Sequence, residues 1–240
     1  MNNSIFEGKN CLVTGATGGL GKAICKQLSE RDCNIFLTSK TRSKLVQLKK
    51  NLSKHKGIKI EFENGDLTSI SDVNKIIRKS NKKFNHIDIL INCAGIFPVK
   101  KLSESTFQDF QECFDLNVRA PFLLTKEFVK QMKKNKWGRI VNVGSSSAYD
   151  GFENTSIYCA TKHALLGFSR SIQKELKEKN IRVFFIAPGS IKTNMGKKVK
   201  GQDYKTFLDP DEIAEYIIFL ISFNKNLTTD EIMLKRMWIK

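Results

Sequence analysis

The chain has 240 residues, 40% of them hydrophobic and 27% charged, with 17 Phe to fill an interior; this composition excludes a disordered or low-complexity polypeptide and allows a domain with a large core. Lys and Arg number 41 against 24 Asp and Glu, a formal net charge of +17, which raises nucleic acid, an anionic membrane or an acidic partner as binding classes. The lysines run along the whole chain beside apolar residues, and no zinc-finger, RRM or basic-zipper pattern occurs, so the charge reads as a solvated surface with no nucleic-acid partner.

Residues 1–9 carry no apolar core behind a basic start, so no signal peptide is expected. A first strand over residues 11–14 ends in Thr14-Gly15-Ala16-Thr17-Gly18-Gly19-Leu20-Gly21, which opens a helix over 19–31. Glycine permits a tight turn and lets backbone N–H groups close on a phosphate at the positive end of a helix. A strand over 34–38 runs into Ser39-Lys40-Thr41-Arg42; a helix over 43–54 and a strand over 59–62 then lead to Asp66-Leu67. A helix over 70–83 and a strand over 87–92 lead to Asn92-Cys93-Ala94-Gly95. One long helix, 106–134, carries Asn117 and Pro121; because proline lacks an N–H, the Asn117 carbonyl is left free for a water. The strand 138–143 precedes Gly144-Ser145-Ser146, and the helix 155–179 holds Tyr158 and Lys162 four apart, on one face. The strand 181–187 ends in Pro188-Gly189, with Ile191 and Thr193 beyond it; a helix over 213–221 and a last strand over 231–238 complete the pattern.

These strands lack polar alternation, as strands buried on both faces do. The expected fold is therefore α/β, a doubly wound parallel sheet of about seven strands with helices on both faces, in a single domain of residues 1–240. Sheets of this kind bind ligands at the carboxyl ends of their strands. No stretch reaches the roughly 18 apolar residues of a membrane span, so no membrane partner is expected. Cys11, Cys25, Cys33, Cys93, Cys113 and Cys159 form no CxxC pair and meet no His cluster. No metal is expected, and free thiols fit the cytoplasm.

The TGxxxGxG spacing of residues 14–21 resembles the short-chain dehydrogenase/reductase pattern, and further landmarks follow in that family's order over residues 8–235. Asp66 resembles the Asp that meets the adenine ring. Asn92-Cys93-Ala94-Gly95 resembles the NNAG segment that steadies the sheet and lines the cofactor cleft, with Cys93 in place of the second Asn. Pro188, Gly189, Ile191 and Thr193 resemble the PGxxxT segment, whose Thr holds the nicotinamide carboxamide. The resemblance implies a Rossmann-type fold with cofactor contacts at Gly15, Thr17, Gly18, Gly19, Leu20, Gly21, Leu67, Ala94 and Gly95 as well. An NAD enzyme normally places an acid after the second strand to bind the ribose hydroxyls. Ser39, Lys40 and Arg42 offer a hydroxyl and two cations there instead. NADP(H), with its 2′-phosphate, is favoured, and NAD(H) is the alternative.

Ser145, Tyr158 and Lys162, with Asn117, resemble the family's catalytic set. Reducing a ketone puts negative charge on its oxygen as hydride reaches carbon, so a donor must stabilise that charge and supply a proton. Tyrosine has an ordinary pKa of about 10, and a nearby lysine ammonium and the oxidised nicotinamide ring both favour the phenolate and lower it; Tyr158 then serves as acid or base. By resemblance, Lys162 also binds the cofactor ribose, Ser145 places the substrate oxygen, and Asn117 holds a water linking Lys162 to solvent. The implied partner is a small carbonyl or alcohol substrate. Its pocket is expected from Phe97, Pro98, residues 148–152 and the loop 189–209, with Gly196 and Gly201 as hinges. Lys197, Lys198 and Lys200 in that loop read as solvated surface sharing the chain's lysine excess, or as a site for an anionic or carrier-bound substrate. The resemblance implies a homodimer or homotetramer built on helices 106–134 and 155–179; Leu165, Leu166, Phe168 and Ile172 fit a shared face and core packing equally well. Three alternatives stand beside this reading. One is a 3-oxoacyl-(acyl-carrier-protein) reductase, although the C-terminus lacks the DGG ending of that group. Another is an NAD-dependent alcohol dehydrogenase. The third is a non-catalytic NADP(H) sensor, which has no need of an intact Ser145, Tyr158 and Lys162.

Overall fold

Apolar strands that do not alternate have to be covered on both sides, and here one sheet lies between two layers of helices. The structure, a computed structural model, describes residues 5–54 and 57–237. The strands are β1 (Asn10–Thr14), β2 (Asn34–Ser39), β3 (Ile60–Asn64), β4 (Ile89–Asn92), β5 (Gly138–Val143), β6 (Ile181–Pro188) and β7 (Glu231–Leu234). All pair in parallel, in the order β3-β2-β1-β4-β5-β6-β7. The chain steps outward from β1 to β3, then returns to set β4 on the other side of β1. Connections after β1 and β4 therefore leave in opposite directions, and a crevice opens between them.

The helices are α1 (Gly19–Ser29), α2 (Arg42–Leu52), α3 (Ile70–Phe84), α4 (Phe107–Phe114), α5 (Ala120–Asn135), α6 (Ser156–Leu176) and α7 (Pro210–Ile221). On one face Ile24 of α1, Leu45 of α2 and Ile217 of α7 pack on Cys11, Ile35 and Phe184. On the other, Val73 of α3, Leu124 and Phe128 of α5 and Leu176 of α6 pack on Leu12, Leu90 and Ile140. Successive residues of β6 alternate between the layers, with Phe184 and Ile186 in the first and Val183 in the second. At the amino end of β5 the fully buried Arg139 donates to the carbonyls of Gly138, Asn180 and Phe223 and to Asn224 Oδ1. Its guanidinium lies 4.4 Å from the Trp137 ring centroid, which fixes the segment leading to β7.

Three expectations are refined. Helix 106–134 stays helical but is not α throughout: α4 ends at Phe114, a π-turn spans Asp115–Arg119, and α5 begins at Ala120. The Ala120 N–H bonds to the Asp115 carbonyl, five residues back, so the ladder has already slipped before Pro121, which sits in the first turn of α5 where a missing N–H costs little. Leu165 and Leu166 do not form an outer face. They are 2% and 4% exposed and pack with Ala148, Phe185 and Ala187. The last strand stops at Leu234, and Trp238, its expected end, lies outside the described residues.

Gly144 joins β5 to the segment that carries Ser145, and its N–H bonds to the Ile186 carbonyl at 2.7 Å. A Cβ there would stand 2.0 Å from Cζ of the buried Phe185 ring. Gly144→Ala should therefore destabilise the fold by about 1–3 kcal/mol, as overpacking does, read as a lower urea midpoint. An unchanged midpoint would mean that β5 and β6 are free to move apart.

Candidate active site

The carboxyl ends of the strands surround a cavity of about 1010 Å³. At one end the turn after β1 forms a cradle. Gly15 has φ +62, and a Cβ on it would lie 2.9 Å from the Ala94 Cα. A Cβ on Gly21 would lie 2.2 Å from the Gly15 carbonyl oxygen, so the first turn of α1 presses on the loop that precedes it. No acidic residue stands in that turn, and no side chain caps it. Its N–H groups are thus open to an anion. The turn after β6 closes over the cradle: a Cβ on Gly19 would meet the Thr193 methyl at 2.7 Å. Thr17, Gly18, Leu20, Pro188, Gly189 and Ile191 also line the cavity.

Beside the cradle Thr17 Oγ1 donates to Ser39 Oγ at 2.9 Å, and Lys40 Nζ pairs with Asp66 Oδ2 at 2.8 Å. Ser39, Lys40 and Leu67 line the cavity, whereas Asp66 and Arg42 do not. Arg42 lies against the Phe62 ring, 5.3 Å from its centroid. Asp66 Oδ1 accepts from the N–H and hydroxyl of Thr68 at 2.9 and 2.7 Å. Partial burial pushes the Asp66 carboxyl up, but Lys40 and Thr68 outweigh it and hold it below its ordinary value.

At the other end, α6 places Tyr158 and Lys162 one turn apart, 8% and 4% exposed. Lys162 Nζ donates to the Val143 carbonyl at 2.9 Å and lies 5.5 Å from the Tyr158 ring centroid. Ser145, just past β5, accepts the Ser147 N–H at 3.1 Å. Phe97 stands edge-on to Tyr158 with ring centroids 4.7 Å apart. Burial pushes the Tyr158 phenol up to about 12, with Ser145 pulling it down and Cys113 and Cys159 adding to the rise. Burial also pulls Lys162 down to about 8. Burial thus sets the direction of the tyrosine's shift in the cofactor-free protein.

Asn117 and Asn92 stand behind the cavity wall rather than on it. Asn117, 1% exposed, accepts the Ile96 N–H at Oδ1 (3.0 Å) and donates from Nδ2 to the Ile96 carbonyl (3.0 Å) and Thr161 Oγ1 (3.1 Å). Its side chain clamps the segment after β4, and a Cβ on Gly95 would lie 3.2 Å from Asn117 Oδ1. Asn92 donates to Asn142 Oδ1 at 2.8 Å, Asn142 to Ser169 Oγ at 2.9 Å, and Ser169 to the Leu165 carbonyl at 2.7 Å. That chain ties β4 and β5 to the helix bearing Tyr158. Sequence reasoning missed Thr14, whose Oγ1 accepts the N–H groups of Cys93 and Ala94 at 3.0 Å each. A hydroxyl ending an otherwise aliphatic strand was the available signal. Of the expected substrate pocket, Phe97, Phe152 and residues 190–200 line the cavity, while Pro98 and residues 148–151 do not; Val99 and Asn154 join them. At Gly196 a Cβ would lie 2.0 Å from the Ile191 carbonyl oxygen, so no side chain fits there. Gly201, with φ +72, has open space around it.

The chain matches the short chain dehydrogenase family over residues 9–203. It is 32% identical over 238 residues to a 3-oxoacyl-(acyl-carrier-protein) reductase of Aquifex aeolicus, covering 95% of this chain and 96% of that protein. A protein of the same name from Buchnera aphidicola subsp. Schizaphis graminum is 34% identical over 239 residues, covering 94% and 95%. Among solved structures, levodione reductase superposes with a TM-score of 0.87 at 25% identity over 96% of this chain and 97% of its own. An alcohol dehydrogenase of the archaeon Thermococcus sibiricus, complexed with 5-hydroxy-NADP, shares the fold with a TM-score of 0.88 at 24% identity, over 97% and 98% of the two chains.

The buried lysine has a consequence for stability. Its folded pKa, about 8, lies below its ordinary value of 10.5. Between the two the unfolded chain binds more protons than the folded one, so stability rises with pH across that window, and the full cost of burying the charge is felt below it. Urea unfolding of the cofactor-free protein and of Lys162→Met, compared at intervals from pH 7 to 10.5, should show the native protein gaining on the variant as pH rises through 8. Parallel curves would mean that Lys162 titrates at its ordinary value.

Proposed function

The chain belongs to the short-chain dehydrogenase family, and from that premise we propose that it transfers a hydride between NADP(H) and a carbonyl or alcohol carbon, with Tyr158 as general acid and base. The observation that carries this reading is the meeting of Tyr158, Ser145 and Lys162 in one cleft with a glycine cradle. The cradle fits a dinucleotide, because side chains at Gly15 and Gly21 would fill it and α1 turns its unsatisfied N–H groups toward it. Residues 15–21 would hold the pyrophosphate, Ser39 and Lys40 the adenosine ribose with its 2′-phosphate, Lys162 the second ribose, and Ile191 and Thr193 the nicotinamide. When bound, the nicotinamide supplies or takes up the hydride.

Tyr158 keeps its proton well above neutral pH, which suits a donor to the oxygen that gains charge as the carbon is reduced. Ser145 would fix that oxygen. Lys162, charged below about 8, stabilises the phenolate left when the proton departs. Phe97, packed on the tyrosine ring, excludes water from one side. The same set serves oxidation in reverse, and a sensor without catalysis has no use for it. The free thiols of all six cysteines support a cytoplasmic setting. Exposed Phe107, Phe110 and Phe122 on α4 and α5 support a homodimer or homotetramer.

Tyr158→Phe should keep NADPH binding and lower kcat by roughly 100-fold or more, the usual scale for losing a general acid. Near-normal turnover in this variant would remove Tyr158 from the mechanism.

A second reading concerns the substrate. Lys192, Lys197, Lys198 and Lys200 line the mouth of the cavity without a carboxylate partner among the described residues, and Glu153 is the acidic residue on that wall. This excess supports an anionic or carrier-bound thioester, in keeping with the relatives named 3-oxoacyl-(acyl-carrier-protein) reductase. Replacing Lys197, Lys198 and Lys200 with Gln should raise KM for a 3-oxoacyl thioester several-fold at low salt, flatten its salt dependence and leave kcat unchanged, since rim charges act on encounter. An unchanged KM would leave these lysines as solvated surface.

A further inference from the structure

The cation expected to select the cofactor already has a partner. Lys40 Nζ lies 2.8 Å from Asp66 Oδ2, with 61% of the lysine side chain and 40% of the aspartate side chain exposed. The two partners are not equally free. Asp66 is held at Oδ1 by the backbone N–H and the hydroxyl of Thr68, and its own N–H donates to Asp72 Oδ2 at 2.7 Å. The Thr68 carbonyl in turn accepts from Arg119. Lys40 has no other bond to hold it among the described residues, and its stem is long and flexible. Of the pair, then, the lysine swings and the aspartate stays.

The strength of the pair fits such a swing. An exposed ion pair contributes little to stability, whereas a charge-assisted bond to a phosphate is stronger. A 2′-phosphate arriving beside Ser39 can draw Lys40 from Asp66. A cofactor without that phosphate leaves Lys40 where it is, and neither charge is stranded. In a site built for the phosphate alone, the cation would stand unpaired beside a neutral ribose, and that loss would reject NADH.

We propose that Asp66 is a specificity-determining residue that parks Lys40 in the absence of a 2′-phosphate, so that the cleft accepts NADH as well as NADPH. This rests on the reading that Lys40 meets the 2′-phosphate. It gives Asp66 a task distinct from contact with the adenine ring, in keeping with a carboxylate that faces Lys40 and Thr68 and does not line the cavity.

The test is calorimetric titration of NADPH and NADH into the native protein, Asp66→Asn, Lys40→Ala and the double variant. Asn keeps an oxygen for Thr68, and Asp66→Ser serves if Asn fails to fold. Asp66→Asn should raise the preference for NADPH over NADH about fivefold, the upper scale of an exposed pair, by tightening NADPH and weakening NADH. In the Lys40→Ala background the same change should leave NADH binding unaltered. Lys40→Ala alone should lower the preference for NADPH. If it does so while Asp66→Asn leaves the preference unchanged or reduces it, the parking role is wrong and the 2′-phosphate reading stands. If Lys40→Ala leaves the preference untouched, the 2′-phosphate reading fails and the parking role fails with it.

Discussion

A lysine ammonium buried to 4% exposure, with the Val143 carbonyl as its hydrogen-bond acceptor and no carboxylate paired to it among the described residues, is the constraint around which this site is built. Burying an unpaired charge is costly, and the surrounding chain is arranged to tolerate it. The backbone supplies the acceptor that the side chains do not, at the end of β5. The Asn117 side chain is taken up by Ile96 and Thr161. The π-turn Asp115–Arg119 sets Asn117 at that position; such a bulge inside a helical run is often found where function requires it. What the lysine loses in solvation appears as a pKa drawn down to about 8, and the neighbouring phenol, in the same dry pocket, is pushed the other way to about 12.

The two ends of the cleft are joined through backbone contacts. Thr14, at the end of β1, holds the N–H groups of Cys93 and Ala94 beyond β4, and Gly15 lies so close to Ala94 that no side chain fits between them. The crevice between β1 and β4 is thus fixed at its floor. The buried chain from Asn92 through Asn142 to Ser169 carries the same frame to α6, which bears Tyr158. The glycine cradle and the tyrosine are parts of one hydrogen-bonded frame, and the surrounding loops supply what is variable.

Much of this was legible in the sequence. Strands buried on both faces read as unbroken apolar runs, the glycine turn and Ser145 stood just past the ends of two of them, and the Tyr158–Lys162 pair lay one turn apart in the helix that follows the second. What escaped was set by non-local packing. No propensity marks the π-turn, because a ladder slipped by one residue uses ordinary helix formers, and Pro121 tolerates the break without causing it. The bond between Lys40 and Asp66 joins the ends of neighbouring strands through a register that composition does not reveal. Leu165 and Leu166 have helical spacing that serves a core or an interface equally well, and only Phe185 and Ala148 decide for the core. The burial that raises the tyrosine in the cofactor-free protein is likewise set by packing, which the Tyr158–Lys162 spacing does not show.

The central claim is that this cleft performs hydride transfer with Tyr158 as its proton source. The most direct test is to follow NADPH absorbance while the purified chain is offered ketones, aldehydes and 3-oxoacyl thioesters, and to recover the product. The account predicts cofactor oxidation matched mole for mole by alcohol formed, with at least one class of carbonyl. Tight NADPH binding with no oxidation by any of them would contradict it, and would leave a nucleotide-binding protein whose catalytic residues are idle.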